Sequence, residues 1–142
     1  MTIIAVASDH AGYGLKAALA AELAAAGHQI LDLGPDSEAS VDYPDYGRAL
    51  GEALAQGRAE RGVAVCGSGI GISIAVNRVP GARCALVTSG LLARLARQHN
   101  DANCIALGSR IIGIETARDC VAEFLNTPFE GGRHAGRVAK LG

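Results

Sequence analysis

The segment VAVCGSGIGISIAVN, residues 63–77, joins two kinds of pattern without a break. Residues 63–66 are apolar at every position, whereas a strand with one face in water alternates. Continuous apolarity places a strand in a parallel sheet that helices cover on both faces. Helical patterning begins at residue 70, and around that junction lie Gly67, Gly69 and Gly71 at alternate positions. Glycines there permit a sharp strand-to-helix turn and let another group come close to the main chain. Cys66 stands at the rim of that turn.

The same unit repeats outward in both directions. Apolar runs of strand length occupy residues 2–7, 28–33, 62–66, 82–87 and 103–108. Helical patterns separate them at 14–27, where Leu15, Leu19 and Leu23 recur every four residues, and at 46–56, 70–77, 90–98 and 114–125. The order βαβαβαβαβα predicts one α/β domain over residues 1–142, a doubly wound, Rossmann-like fold with five parallel strands and helices on both faces. The stretch LGPDSEASVDYPDYG (33–47) reads as a turn-rich, mobile loop. Beyond Pro128 the chain reads as a short loop and a terminal helix that needs a surface to dock on.

Composition narrows the function. A net charge of -1 gives no global reason to expect nucleic acid or a membrane surface, and 4% aromatics with no Trp leaves no stacking platform for single strands. The four cysteines, Cys66, Cys84, Cys104 and Cys120, have no CxxC spacing, which argues against a disulfide framework or zinc site and for a reducing cytoplasm. The opening MTIIAVASDH has no basic region and reads as a first strand rather than a signal peptide. No run approaches the roughly 20 apolar residues that span a bilayer.

Doubly wound sheets bind ligands outside the carboxyl ends of their strands. The positions to inspect are therefore Asp9 and His10, the 42–46 loop with Tyr43, residues 66–71, Thr88 and Ser89, and residues 108–110. The glycines are not a dinucleotide fingerprint, because they follow the third strand, are spaced G-x-G-x-G, and no Asp or Glu occurs from Arg61 to Asn100. What remains is either an anion nest of main-chain N–H groups at a helix start or a plain tight turn. The acid-free segment holds Arg61, Arg78, Arg83, Arg94 and Arg97, which predicts local positive potential. Arg133 and Arg137 share a helix face, with His134 beside them, and two guanidiniums so placed can clamp a phosphate. Cys66 feels the field of the following helix, which favours thiolate and suits a base or nucleophile. Cys84, Cys104 and Cys120 read as inert core thiols. His99 and Asn100 read as loop residues before the fifth strand. A metal site of Asp9, His10, Cys66 and His99 lacks ligand spacing.

The motifs SDHAG (8–12), DYPDY (42–46), CGSGIGISIAVNRVPGAR (66–83), RQHNDAN (97–103), LGSR (107–110) and GGRHAGRV (131–138) carry a further reading. In order and over nearly the whole chain, they resemble the type B ribose-5-phosphate isomerases, a family that includes isomerases of galactose 6-phosphate and allose 6-phosphate. The resemblance implies a cytoplasmic aldose-ketose isomerase of the pentose phosphate pathway. It would interconvert ribose 5-phosphate and ribulose 5-phosphate through an enediolate, with no cofactor and no metal. It implies Cys66 as the base that shuttles a proton between C1 and C2. Gly67, Gly69, Gly71 and the Ser68 hydroxyl become enediolate donors, and His99 assists ring opening. Asp9, His10, Tyr43 and Asn100 would hold sugar hydroxyls, and Arg110, Arg133, His134 and Arg137 the phosphate. It also implies a site shared between two subunits, hence a homodimer or a homotetramer. Relatives that lack the cysteine carry a glutamate where this chain has Ile72, so the thiol route is the one open here. Ser68 replaces a common threonine, and residues 88–93 lack the acidic or aromatic groups often found there, which bears on sugar length. Two alternatives stand beside this reading: an isomerase of a six-carbon sugar phosphate, and a non-catalytic phosphosugar-binding module.

Overall fold

A computed structural model describes all 142 residues. Strand and helix alternate as β1 (Ile3–Ser8), α1 (Tyr13–Ala25), β2 (Gln29–Asp32), α2 (Tyr43–Ala55), β3 (Arg61–Cys66), α3 (Ile70–Asn77), β4 (Cys84–Leu86), α4 (Gly90–Asn100), β5 (Cys104–Gly108) and α5 (Ile114–Asn126), followed by α6 (Arg133–Ala139). The strands form one sheet in the order β2-β1-β3-β5-β4, with every pairing parallel. The chain leaves β1 toward β2 and returns to the other side of β1 as β3. That reversal opens a crevice between the carboxyl ends of β1 and β3, where this class of sheet binds ligands.

The two faces of the sheet differ in side-chain size. Ile4, Val6, Val63, Val65, Ile105 and Leu107 pack one core with α1, α4 and α5. Ala5, Ala7, Ala64, Cys66, Cys104 and Ala106 project to the other side, against α2 and α3. Small residues on that face let its helices sit close. A Cβ on Gly47 would lie 2.6 Å from the Cβ of Ala75, and one on Gly51 would lie 2.7 Å from Val79 Cγ2, so α2 and α3 touch along two successive turns of glycine. That contact sets where the first residue of α2, Tyr43, meets α3.

Several boundaries differ from the sequence expectation. Helix α2 begins at Tyr43 rather than 46, because Pro44 occupies the first turn, where a missing N–H costs nothing. The 33–42 segment is tied down rather than loose. Lys16 is buried, and its Nζ donates to Asp32 Oδ1 at 2.8 Å and to the Pro35 carbonyl at 2.6 Å, while Val41 N–H donates to His10 Nδ1 at 3.2 Å. Strand β4 is only three residues long, and Cys84 in it is partly exposed rather than core. Its free edge is closed by the Asn77 amide, which accepts from Cys84 N–H and donates to the Cys84 carbonyl, both at 2.8 Å. Helix α4 runs through His99 and Asn100, so these are last-turn residues and not loop residues. No helix is long and apolar enough to cross a membrane.

Candidate active site

A cleft of about 580 Å³ opens at the β1/β3 crevice and is lined by Asp9, Tyr43, Cys66, Gly67, Ser68, Gly71 and Arg110, with Ile70, Ile74 and Ile111 as an apolar wall. Its floor is built by ties between three strand ends. Asp9 N–H donates to the Val65 carbonyl, Ser109 N–H to that of Cys66, and Arg110 N–H to that of Gly67. The Ser109 hydroxyl donates to the Ala11 carbonyl at 2.9 Å, linking the β5 and β1 turns. Asp9 is almost wholly buried, and its Oδ1 accepts from Gly12 N–H at 2.9 Å, which fixes the carboxylate at the start of α1.

The Cys66 sulfur sits in this floor with 5% of the residue exposed, and it accepts a hydrogen bond from Gly69 N–H at 3.1 Å. A main-chain amide at a helix start aimed at a sulfur complements negative charge there. The Ser68 oxygen accepts from Ile70 N–H at 3.1 Å, so its proton remains available to donate elsewhere.

Each glycine of the turn has its own reason. Gly69 has φ +79°, a left-handed conformation, and a Cβ there would lie 2.9 Å from the Leu107 carbonyl carbon. Gly67 faces Arg110, whose Nη1 would lie 3.2 Å from an added Cβ. Gly71 supports the Tyr43 ring, which an added Cβ would meet at 2.6 Å. Of the amides of this turn, Gly69 N–H is committed to the Cys66 sulfur and Ile70 N–H to the Ser68 oxygen, while Gly67 faces a guanidinium and Gly71 an aromatic ring.

The remaining predicted residues gather elsewhere in the chain. The His99 and His134 rings stack with centroids 4.5 Å apart and planes 15° from parallel, and Glu130 Oε1 lies 4.0 Å from His99 Nε2 and 3.5 Å from His134 Nε2. His134 is buried in this stack rather than displayed on the face of α6, where Arg133 and Arg137 are exposed and have no acidic partner within ion-pair distance. Asn100 lines a separate cavity of about 440 Å³ beside Asn77, Arg83 and Cys84. His10 is held by Val41, which in the neutral ring puts the proton on Nε2.

The arginines of the acid-free segment do not form an open positive patch. Arg97 is buried and bonds Asp101 and the Ala102 carbonyl, Arg83 pairs with Asp101, and Arg94 faces Glu123 at 3.9 Å, so acids from outside the segment meet three of the five. His99, Glu130 and His134 are the group whose ligand atoms come within 4.8 Å of one another. Near-parallel rings direct their nitrogen lone pairs in parallel planes, so one ion could bond both only after His99 turned. The apolar wall of Ile70, Ile74 and Ile111, and the Glu130 partner of the two histidines, were absent from the sequence expectation. Glu130 was within reach, since it precedes His134 by four residues.

A parallel doubly wound sheet with a thiol, a carboxylate and a guanidinium converging at its topological switch point defines an α/β enzyme for a small anionic substrate. The chain belongs to the Ribose/Galactose Isomerase family, whose model matches residues 4–141, and it is a sugar-phosphate isomerase of that family. It is 41% identical over 141 residues to ribose-5-phosphate isomerase B of Escherichia coli, covering 99% of this chain and 95% of that protein. Among solved structures it is similar to ribose-5-phosphate isomerase B of Clostridium thermocellum, with TM-score 0.97, 48% identity, and coverage of 99% of this chain and 95% of that one. It is also similar to ribose-5-phosphate isomerase B of Mycoplasma genitalium, a structure with bound ribulose 5-phosphate, with TM-score 0.93, 38% identity, and coverage of 98% and 93%.

Proposed function

We propose that this chain interconverts ribose 5-phosphate and ribulose 5-phosphate, with Cys66 as the base. The observation that carries the reading is the Cys66 sulfur on the floor of the cleft, held by Gly69 N–H and sharing that cleft with Asp9 and Arg110. Aldose-ketose isomerisation needs a base that can take a proton from C2 and return it to C1. It also needs donors where oxyanion charge develops, and a grip on the phosphate away from the reacting carbons. In this reading the Cys66 thiolate removes the C2 proton of the open-chain aldose. The C1 carbonyl becomes an enediolate oxygen, met by main-chain N–H groups of the 67–71 turn and by the Ser68 hydroxyl. Returning the proton to C1 while the proton of the C2 hydroxyl passes to the C1 oxygen completes the ketose, with no net loss or gain of protons or electrons. Asp9, His10 and Tyr43 orient hydroxyls from the same chain, Asn100 does so from the other subunit, and Gly67 and Gly71 keep the floor low.

The ring-opening and phosphate-binding roles of His99, Arg133, His134 and Arg137 are read across two subunits, with Arg110 gripping the phosphate from the thiol's own chain. Within one chain the histidine stack lies outside the thiol cleft, and the cleft's rim exposes Ile70 by 53%, Ile74 by 53% and Ile111 by 60%. An exposed apolar rim beside an incomplete polar site is what a second copy of the chain would cover. We therefore assign a homodimer in which each α4–α6 face completes its partner's cleft, working in the cytoplasm where the thiol stays reduced.

Conversion of ribose 5-phosphate to ribulose 5-phosphate, measured with and without EDTA, tests the reading directly. The expected result is turnover that the chelator leaves unchanged. A higher kcat/KM for allose 6-phosphate or galactose 6-phosphate would move the substrate to six carbons. Binding without turnover of any of them would make the chain a phosphosugar-binding module.

A further inference from the structure

We propose that Cys84 and Cys104 form a dithiol site which a mild two-electron oxidant closes to an intrachain disulfide, leaving Cys66 reduced. The two residues stand directly opposite each other in the β4–β5 ladder. Facing residues of neighbouring strands lie about 4.8 Å apart with side chains on the same side of the sheet, inside the Cα separation of about 4.4–6.8 Å that a disulfide spans. Both side chains lie on the same face of the sheet, Cys104 within its apolar cluster and Cys84 packed against that cluster. The backbone on both sides is braced: Asn77 grips the N–H and carbonyl of Cys84, and the Arg83 carbonyl accepts from both Asn103 N–H and Cys104 N–H. The Asn103 side chain adds an acceptor for Arg83 N–H at 2.8 Å. The pair is therefore held in a geometry that favours closure over reaction with a distant thiol.

The two sulfurs differ in reach. Cys84 is partly exposed and lines the cavity shared by Asn77 and Asn100. Cys104 is fully buried, and burial, with the Cys84 thiol beside it, pushes its pKa well above the ordinary thiol value. Cys84 is thus the sulfur that meets an oxidant first. With a diazenedicarboxamide (diamide), the Cys84 thiolate adds to one nitrogen of the N=N bond and the other nitrogen takes a proton. The Cys104 thiol then attacks the Cys84 sulfur, the S–S bond forms, the S–N bond breaks, and the thiol proton leaves with the hydrazine. The two thiols lose two electrons and the diazene gains two. Cys66 has no such partner, since Gly108 faces it on β5 and Cys120 packs in the core on the opposite face of the sheet.

The sequence makes the test clean. Trypsin separates Cys84 on peptide 84–94, Cys104 on peptide 98–110 and Cys66 on peptide 62–78. Folded protein would be treated with diamide, its remaining thiols alkylated under denaturing conditions, and monomer-sized material digested without reduction. The expected result is peptide 84–94 linked to peptide 98–110, released by dithiothreitol, with Cys66 alkylated. The link should be absent in both Cys84→Ser and Cys84→Ala, whose Cys104 should be alkylated. Free thiols throughout in the oxidised wild type, or Cys84 joined to any other cysteine, would overturn the proposal.

Discussion

Gly47→Ala sets two opposing effects against each other in one residue. Gly47 lies inside α2, where replacing glycine with alanine normally stabilises a helix by about 0.5–1 kcal/mol. Here the new methyl would arrive 2.6 Å from the Ala75 Cβ and 3.1 Å from the Ile72 carbonyl oxygen, both on α3. Neither is the far end of a flexible side chain, so relief requires the helices to part. Two rigid contacts put the overpacking in the upper part of the usual range of about 1–3 kcal/mol, so about 2–3 kcal/mol against a gain of up to about 1 leaves a net loss of about 1–2 kcal/mol. Gly14→Ala is the internal control. It is helical and exposed, nothing lies within 4 Å of its added Cβ, and it should gain a few tenths to about 1 kcal/mol. Urea unfolding reads both: with a slope near 2 kcal/mol/M, the Gly47→Ala midpoint should fall by about 0.5–1 M while that of Gly14→Ala rises. Parting α2 from α3 also lifts Tyr43 from Gly71, so Gly47→Ala should raise KM where Gly14→Ala does not. A Gly47→Ala protein as stable as the wild type would refute the close helix contact on which the placement of Tyr43 rests.

Three further outcomes follow from the same geometry. Arg137→Ala should raise KM about ten- to a hundredfold in steady-state kinetics with little change in kcat, through loss of a charge-assisted bond worth about 1.5–3 kcal/mol; an unchanged KM would remove Arg137 from the phosphate grip. Ser8→Ala should stabilise the fold by about 1 kcal/mol, or about 3 °C in a calorimetric Tm, because the Ser8 hydroxyl is wholly buried with no hydrogen-bond partner; a lower Tm would mean that the hydroxyl has one. Co-refolding Cys66→Ala with His99→Ala, each nearly inactive alone, should restore about one quarter of wild-type turnover. Half the dimers are then mixed and each carries one intact site. No recovery would place both residues in the same chain's site.

The strands were readable because each has an apolar centre, even β2, whose ends Gln29 and Asp32 are polar and exposed. Only their ends shifted, at β4 most of all, where Ala82 and Arg83 are drawn into a turn and into bonds with Val79 and Asn103. The start of α2 was hidden by Pro44, which breaks a helix interior but suits a first turn. Cys66, Asp9, Tyr43 and Arg110 were reachable from sequence as residues at or just beyond strand ends or on the loop before α2, and the structure does bring these four into one cleft. The separate jobs of Gly67, Gly69 and Gly71 were not, because they depend on where α2, β5 and Arg110 lie in space. Nor could the sequence show that Arg83, Arg94 and Arg97 meet acids, since Asp101 and Glu123 lie outside the stretch that holds them. The His99–His134 stack joins residues from α4 and α6, and no spacing along the chain announces it.

The role of the Cys66 sulfur is tested most directly by following ribose 5-phosphate in D2O by proton NMR with the wild type and with Cys66→Ala. The wild type should convert the sugar while solvent deuterium enters C1 of the ketose. The variant should bind the sugar phosphate yet lose about 10² to 10⁴ in both conversion and exchange, the usual contribution of a positioned base. Conversion and exchange by Cys66→Ala at the wild-type rate would contradict the assignment of the proton transfer to this thiol.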